Sequence, residues 1–207
     1  MLQPQQSPVA VSGTEIVPEN YFQRLDLRAI YGRTAPVEVD LGCGDGALLV
    51  ELAAHEPGHD FLGIERLRGR VRKANSKILR RGLTNARVIW IENSYAVQYL
   101  LPPSSVAVFH LMFPDPWPKR RHQRRRLVNQ DFFSPIRRAL IPNGLFRVAT
   151  DQIDYFEQVA RLIDRMPGFV QVADPVWPSA VSTFEKHFRD CGIEIHHLAL
   201  RKISPET

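Results

Sequence analysis

From Val37 onward, short apolar runs alternate with longer stretches of helical periodicity, and this alternation limits the fold more than any other feature of the chain. Short runs that are apolar at nearly every position read as strands buried on both faces. Strands alternating with helices read as a parallel sheet wound on both sides. The runs lie at Val37–Leu41, Asp60–Ile64, Ala86–Ile91, Ser105–Phe113, Gly144–Thr150, Phe169–Ala173 and Glu194–Arg201. Helical patterns fall between them at about Gly46–His55, Arg66–Arg81, Tyr95–Leu100, Asn129–Ala139, Ile153–Arg165 and Val181–Asp190. The prediction is an α/β fold with a seven-stranded, mostly parallel sheet and helices on both faces. The last two strands close it as a hairpin-like pair.

The sharpest stop in this pattern is Leu111-Met112-Phe113-Pro114-Asp115-Pro116-Trp117-Pro118-Lys119. Three prolines at alternate positions cannot sit in a helix or a central strand, because each has a fixed φ and lacks a donor. The apolar run before them therefore ends in a stiff loop that holds one carboxylate beside one aromatic ring. Arg120, Arg121, Arg124, Arg125 and Arg126 follow at once. An acid-plus-aromatic loop at a strand's carboxyl end suits a flat base, and the arginines suit phosphates around it. Trp117 equally suits a core aromatic that anchors the loop.

The run Val37-Glu38-Val39-Asp40-Leu41-Gly42-Cys43-Gly44-Asp45-Gly46 puts an acid at a strand end and glycines at alternate positions. Glycines there allow a sharp turn and close approach of a ligand to the backbone. The spacing differs from the dinucleotide fingerprint, which seats a pyrophosphate on a helix N-terminus. Asp40 and Asp45 bracket the glycines, and two carboxylates suit a ligand carrying an ammonium and a sulfonium, as S-adenosylmethionine does. Glu65 ends the next strand, where a carboxylate can bind both ribose hydroxyls. Glu92 and Asn93 follow the third strand, placed for an adenine edge. Asp45 and Glu92 also stand where helix-capping acids stand.

At 207 residues the chain fits a single domain over 18–207, with a flexible polar tail over 1–17. The formal charge of +5 is clustered in Lys119–Arg126 and in Arg66, Arg68, Arg70, Arg72, Lys73, Lys77, Arg80 and Arg81, a pattern that favours polyanions. Cys43 and Cys191 build no disulfide framework, the histidines show no metal spacing, and no metal is expected. Neither a secretory leader nor a membrane span is legible, so a cytoplasmic location is the expectation.

The glycine loop, Gly63-Ile64-Glu65, Phe113–Lys119, Ala149-Thr150-Asp151 and Ser182-Thr183-Phe184-Glu185 occur in the order and approximate spacing of bacterial tRNA (guanine-N7-)-methyltransferases. The sequence resembles that family from about Gly32 to Leu200. The resemblance implies the class I, Rossmann-like fold of S-adenosylmethionine-dependent methyltransferases. It makes Asp40, Gly42, Gly44, Gly46, Glu65, Glu92, Asn93 and Asp115 cofactor-binding positions, with Asp115 also catalytic. Lys119, Asp151, Ser182, Thr183, Phe184 and Glu185 become substrate-binding positions. The expected product is 7-methylguanosine in the tRNA variable loop, made by a monomer or homodimer with no obligatory protein partner. Pro118 stands where the family commonly has His, and Ser182-Thr183 where it usually has Thr-Lys.

The chemistry can be reasoned without the family. Guanine N7 carries a lone pair and needs no deprotonation before attacking a methyl sulfonium, so no strong general base is required. Alignment helps, as does negative charge near a ring that becomes cationic. Asp115 and Asp151 can supply that charge or accept hydrogen bonds from the base, and Glu185 is a third acceptor. The alternatives are methylation of another RNA base, such as an exocyclic adenine amine, and an RNA-binding subunit without catalysis.

Overall fold

Every run read as a strand forms one. They are β3 (Val37–Leu41), β4 (Asp60–Glu65), β5 (Ala86–Trp90), β6 (Val106–Met112), β7 (Leu140–Thr150), β8 (Phe169–Val172) and β9 (His196–Lys202). The computed structural model describes residues 10–117, 121, 126–163, 168–173 and 183–203, with backbone alone at 10–12, 130, 183 and 184. Among the described residues the sheet has nine strands rather than the expected seven. The two extra strands, β1 (Ala10–Ser12) and β2 (Glu15–Val17), form a hairpin around Gly13, which adopts a φ of 70°. Residues 10–17 thus belong to the sheet, so the expected tail cannot extend through them. Ile16 is buried in the core, and β2 runs parallel to β5 with Ile16 opposite Ile89.

The order is β1-β2-β5-β4-β3-β6-β7-β9-β8. From β3 the chain winds outward through β4 and β5, then returns to β6 on the other side. The carboxyl ends of β3 and β6 therefore flank a switch point, where open α/β sheets bind ligands. β9 enters between β7 and β8, antiparallel to both. The hairpin-like closure expected from the sequence is this pairing.

Helices α1 (Leu27–Tyr31), α2 (Ala47–His55), α3 (Arg68–Arg80), α4 (Asn93–Tyr95), α5 (Gln130–Ala139), α6 (Ile153–Ile163) and α7 (Thr183–Asp190) complete the fold, with a π-helical turn at Ala96–Leu100. Two apolar layers follow from the alternation of side chains along the strands. Phe61, Ala86 and Val88 pack under α2 and α3, while Leu62, Ile64 and Phe109 join the layer that includes α1, α5 and α6. At about 25 cal/mol per Å2 of apolar surface, these layers supply the main favourable term in folding. No helix among the described residues is long and apolar enough to cross a membrane.

Candidate active site at the carboxyl ends of the strands

The glycine loop closes β3 against α2. Gly42, Gly44 and Gly46 have φ values of 75°, 58° and 77°, a region L side chains rarely adopt. A Cβ on Gly46 would lie 2.7 Å from the Cβ of Ala74, so glycine there lets α2 start directly against α3. The tips of the neighbouring strands hold the loop. The amides of Gly42 and Cys43 donate to the Ile64 carbonyl at 2.9 and 3.0 Å. Gly42 N–H also reaches Asn93 Oδ1 at 3.2 Å. Glu65 Oε2 accepts from the Gly44 amide at 3.1 Å, and its Oε1 accepts from Leu67 at 2.8 Å. Three strand ends thus converge on one turn, as the sequence order of Asp40, Glu65 and Asn93 predicts.

Asp40 is 4% exposed, and its Oδ2 has no hydrogen-bond partner among the described residues. Burial, reinforced by the nearby Glu65 carboxylate, pushes its pKa up to about 7. Such a group lacks a cation or donor to complete it. The two other acids of this region have local tasks. Asp45 accepts from the Ala47 amide at 3.2 Å and pairs with Lys77 at 2.7 Å. Burial acts against its charge, but Lys77 outweighs that and lowers its pKa. Glu92 caps α4 by accepting from the Tyr95 amide at 3.0 Å. Of the Glu92-Asn93 pair, Asn93 is the one that touches the glycine loop.

The proline loop leaves β6 beside the end of β7, with the Phe113 amide donating to Ala149 O at 2.8 Å. Phe113 and Trp117 bracket it with φ values of 53° and 41°, left-handed conformations that cost about 1–3 kcal/mol each for residues other than glycine. Such strain persists where the surroundings impose it. Asp115 lies exposed at the apex, 3.3 Å from Arg66 Nη2. Arg66, which follows Glu65 directly, is a neighbour the sequence reading missed; its position at a strand tip was the available signal. Trp117 is half-buried.

Arg126 overturns its expected role. It is 2% exposed, with Nε donating to Pro116 O at 2.7 Å, Nη1 to Gln158 at 2.6 Å and Nη2 to Asp154 at 2.5 Å. Its guanidinium also lies 4.7 Å from the ring centroid of Tyr155. Burial pushes the Tyr155 hydroxyl up to about 12, and the field of Asp115 adds to that shift. Arg126 is therefore a latch between the proline loop and α6, unavailable to phosphate. Arg121 is exposed, while Lys119, Arg120, Arg124 and Arg125 lie outside the described residues.

Asp151 follows the tip of β7 and accepts from Gln152 Nε2 at 2.5 Å. Glu185 is buried on α7 and pairs with Arg189 one turn on. Its field opposes the lowering of the His197 pKa, which burial dominates. From the same helix, Phe188 packs on Phe113, ring centroids 5.2 Å apart, so α7 rests on the first residue of the proline loop. Ser182 and the side chains of Thr183 and Phe184 lie outside the described residues. Deeper in the sheet, Glu38 joins His59 Nδ1 at 2.7 Å and His110 Nε2 at 2.6 Å. Burial opposes its charge, yet the two imidazoles bring its pKa down to about 2. Among the described residues no group of His, Cys, Asp and Glu has a metal-binding arrangement.

The sequence has known relatives. A family profile described as "Putative methyltransferase" matches residues 34–197. A tRNA (guanine-N(7)-)-methyltransferase of Leifsonia xyli is 40% identical over 185 residues, covering 86% of this chain and 82% of its own. One from Cutibacterium acnes is 34% identical over 203 residues, covering 95% and 72%. The chain belongs to this methyltransferase family. The fold agrees. The 16S rRNA methyltransferase KamB superposes with a TM-score of 0.65 at 13% identity, covering 95% of this chain and 100% of its own. The antibiotic-resistance methyltransferase Kmr gives 0.65 at 18%, covering 96% and 99%. The sheet of this family member is thus the class I methyltransferase sheet, carrying a hairpin at the β5 edge.

Proposed function

We propose that this protein transfers a methyl group from S-adenosylmethionine to N7 of a guanosine in the variable loop of tRNA. The observation that carries this reading is the proline loop, which presents Asp115 on strained backbone at the switch point beside the glycine turn. Relatives bearing the guanine-N7 name share most of the chain with it.

The residues present fit the donor. Asp40 is a buried carboxylate with an oxygen unpartnered among the described residues, suited to a cationic or hydrogen-bonding group. Gly42, Gly44 and Gly46 keep the turn free of side chains, and each Glu65 oxygen keeps a lone pair for a ribose hydroxyl. Asn93 stands beside Gly42 for the adenine end, and Glu92 acts on it through the cap. Bound there, S-adenosylmethionine supplies a methyl group on an electrophilic sulfonium.

The chain's own residues position the acceptor. Asp115 aligns the base and stabilises the positive charge that develops on the ring once N7 is alkylated. Its pairing with Arg66 is solvent-exposed and weak, so a substrate can displace it at little cost. Asp151 and Glu185 border the same region from β7 and α7 as acceptors for base donors. Lys119 holds backbone phosphate, and the segment Ser182-Thr183-Phe184 completes the substrate side. No proton needs removal from N7, in keeping with a site whose described groups are mainly carboxylates.

The test is mass spectrometry of nucleosides from tRNA treated with protein and cofactor. 7-Methylguanosine is the expected product, lost in Asp115→Ala while most tRNA affinity remains. N6-methyladenosine, or no modified nucleoside, would refute the reading.

A further inference from the structure

We propose that the outward ridge of α3, formed by Arg72, Lys73 and Arg80, is a docking surface for the phosphate backbone of the tRNA substrate. The proposal rests on the tRNA reading of the site. It names where the body of that RNA lies.

The helix reads Arg-Gly-Arg-Val-Arg-Lys-Ala-Asn-Ser-Lys-Ile-Leu-Arg over Arg68–Arg80, with six cations and no acid. That is an unfavourable sequence for an isolated helix. Cations in its first turn oppose the positive end of the helix dipole, no side chain caps its N-terminus, and like charges recur at neighbouring positions. Val71, Ala74 and Ile78 turn inward and bury one face. Along the flanks the repulsion is relieved by acids from other elements. Arg68 pairs with Glu15 of the hairpin, Arg70 approaches Glu65 at 3.9 Å, Lys77 pairs with Asp45, and just beyond the helix Arg81 pairs with Glu51.

Arg72, Lys73 and Arg80 are treated differently. All three are exposed, and no ion pair engages them among the described residues. At 100° per residue they fall on the outer side with Gly69 and Ser76, which add no bulk and no opposing charge. Arg72 and Arg80 stand about 12 Å apart along the axis, at 1.5 Å per residue. A row of guanidinium and ammonium groups on a rigid helix is complementary to a polyanion of regular charge spacing. The ridge is also continuous with the site, because Arg66, two residues before the helix, reaches Asp115 of the proline loop. An RNA whose target base enters the site thus finds its backbone beside α3. The field of Lys73 reaches Asp45, but no ion pair among the described residues engages the three side chains, and bound phosphates would neutralise them.

The experiment measures equilibrium binding of unmodified tRNA across a salt series, with KM and kcat measured in parallel, for Arg72→Ala/Lys73→Ala/Arg80→Ala. Each phosphate contact adds about 0.7–0.9 to the slope of log affinity against log salt, so the triple variant should flatten it by about 2–2.7. KM for tRNA should rise about tenfold or more at 0.1 M salt, with kcat and S-adenosylmethionine affinity unchanged. Arg161→Ala, which removes an exposed charge from α6, should leave the slope within error, and Arg72→Lys/Arg80→Lys should restore it. A thermal melt matching wild type shows that folding is intact; if the triple variant misfolds, single alanine variants should each flatten the slope by about 0.7–0.9. An unchanged slope, or an equal loss in Arg161→Ala, overturns the docking surface. Formation of 7-methylguanosine by wild type in the same tubes separates the two readings: product with an unchanged slope sinks the ridge alone, and absence of product sinks the activity.

Discussion

Asp40→Asn removes a charge that the folded protein holds at a cost, and the consequence can be worked from its surroundings. The carboxylate is buried, one oxygen lacks a partner among the described residues, and its pKa rises from 3.8 to about 7. A shift of about three units corresponds to roughly 4 kcal/mol at 1.36 kcal/mol per unit. The sign follows from proton counting. Between about pH 4 and pH 7 the folded state holds the Asp40 proton and the unfolded chain has released it. Stability contributed by this group is therefore present at low pH and lost as pH rises through 7. Asparagine keeps the shape and needs no ionisation, so the cofactor-free variant should gain up to about 4 kcal/mol at pH 8 and almost nothing at pH 4. For a chain of this size, that is a rise in Tm of about 10 °C at pH 8. Urea or thermal denaturation of the cofactor-free protein at both pH values reads the effect. Calorimetry with S-adenosylmethionine should show weakened binding. The reasoning fails if Asp40→Asn is no more stable than wild type at pH 8, or if its stability keeps the wild-type slope from pH 4 to 7.

Glu38 carries the opposite slope. Its pKa falls from 4.5 to about 2 through His110 and His59, so its stabilisation is present above pH 4.5 and lost as pH falls toward 2. Glu38→Gln should cost about 3 kcal/mol at neutral pH, read as a lower urea midpoint, and should flatten acid unfolding in that range. Arg126→Ala should lower stability by about 2–4 kcal/mol, because three hydrogen bonds from a charged donor are lost while Asp154, half exposed, rehydrates. Its kcat should fall more than its tRNA affinity. Arg126→Lys should recover only part, since an ammonium cannot span three acceptors in a plane. A full activity profile in Arg126→Ala would count against the latch.

The parts of the fold legible in the sequence are those whose signal is local. β3 to β7 are buried on both faces and read as apolar runs, and the turns after them carry glycine, proline or acid. The hairpin at Ala10–Val17 escaped notice because its strands are three residues each and its neighbours are polar. Ser12-Gly13-Thr14 between β-branched residues was the available clue. Helix α1 is only five residues long, and its signals were the Asp26 cap and Gly32 beyond its end. At the site, the order of Asp40, Glu65 and Asn93 follows from strand succession, which a sequence displays. Whether Glu92 or Asn93 faces the glycine loop depends on the rotation of a short helix, which it does not. Arg126 looks like the four arginines before it in the sequence until the chain folds and buries it. Glu38 and His110 each interrupt an apolar run, and that violation of pattern was the only sign of the network they form.

The latch through Arg126 also bears on how this chemistry can be moved between scaffolds. The proline loop does not hold its shape by its own residues alone: Phe113 and Trp117 sit in disfavoured conformations, and Pro116 O is gripped by a side chain ten residues further on. That side chain is in turn seated by Asp154, Tyr155 and Gln158 of α6. The transferable unit is thus a discontinuous one, loop plus arginine plus one helix face. A graft of the visible string by itself would carry the carboxylate without the frame that aims it.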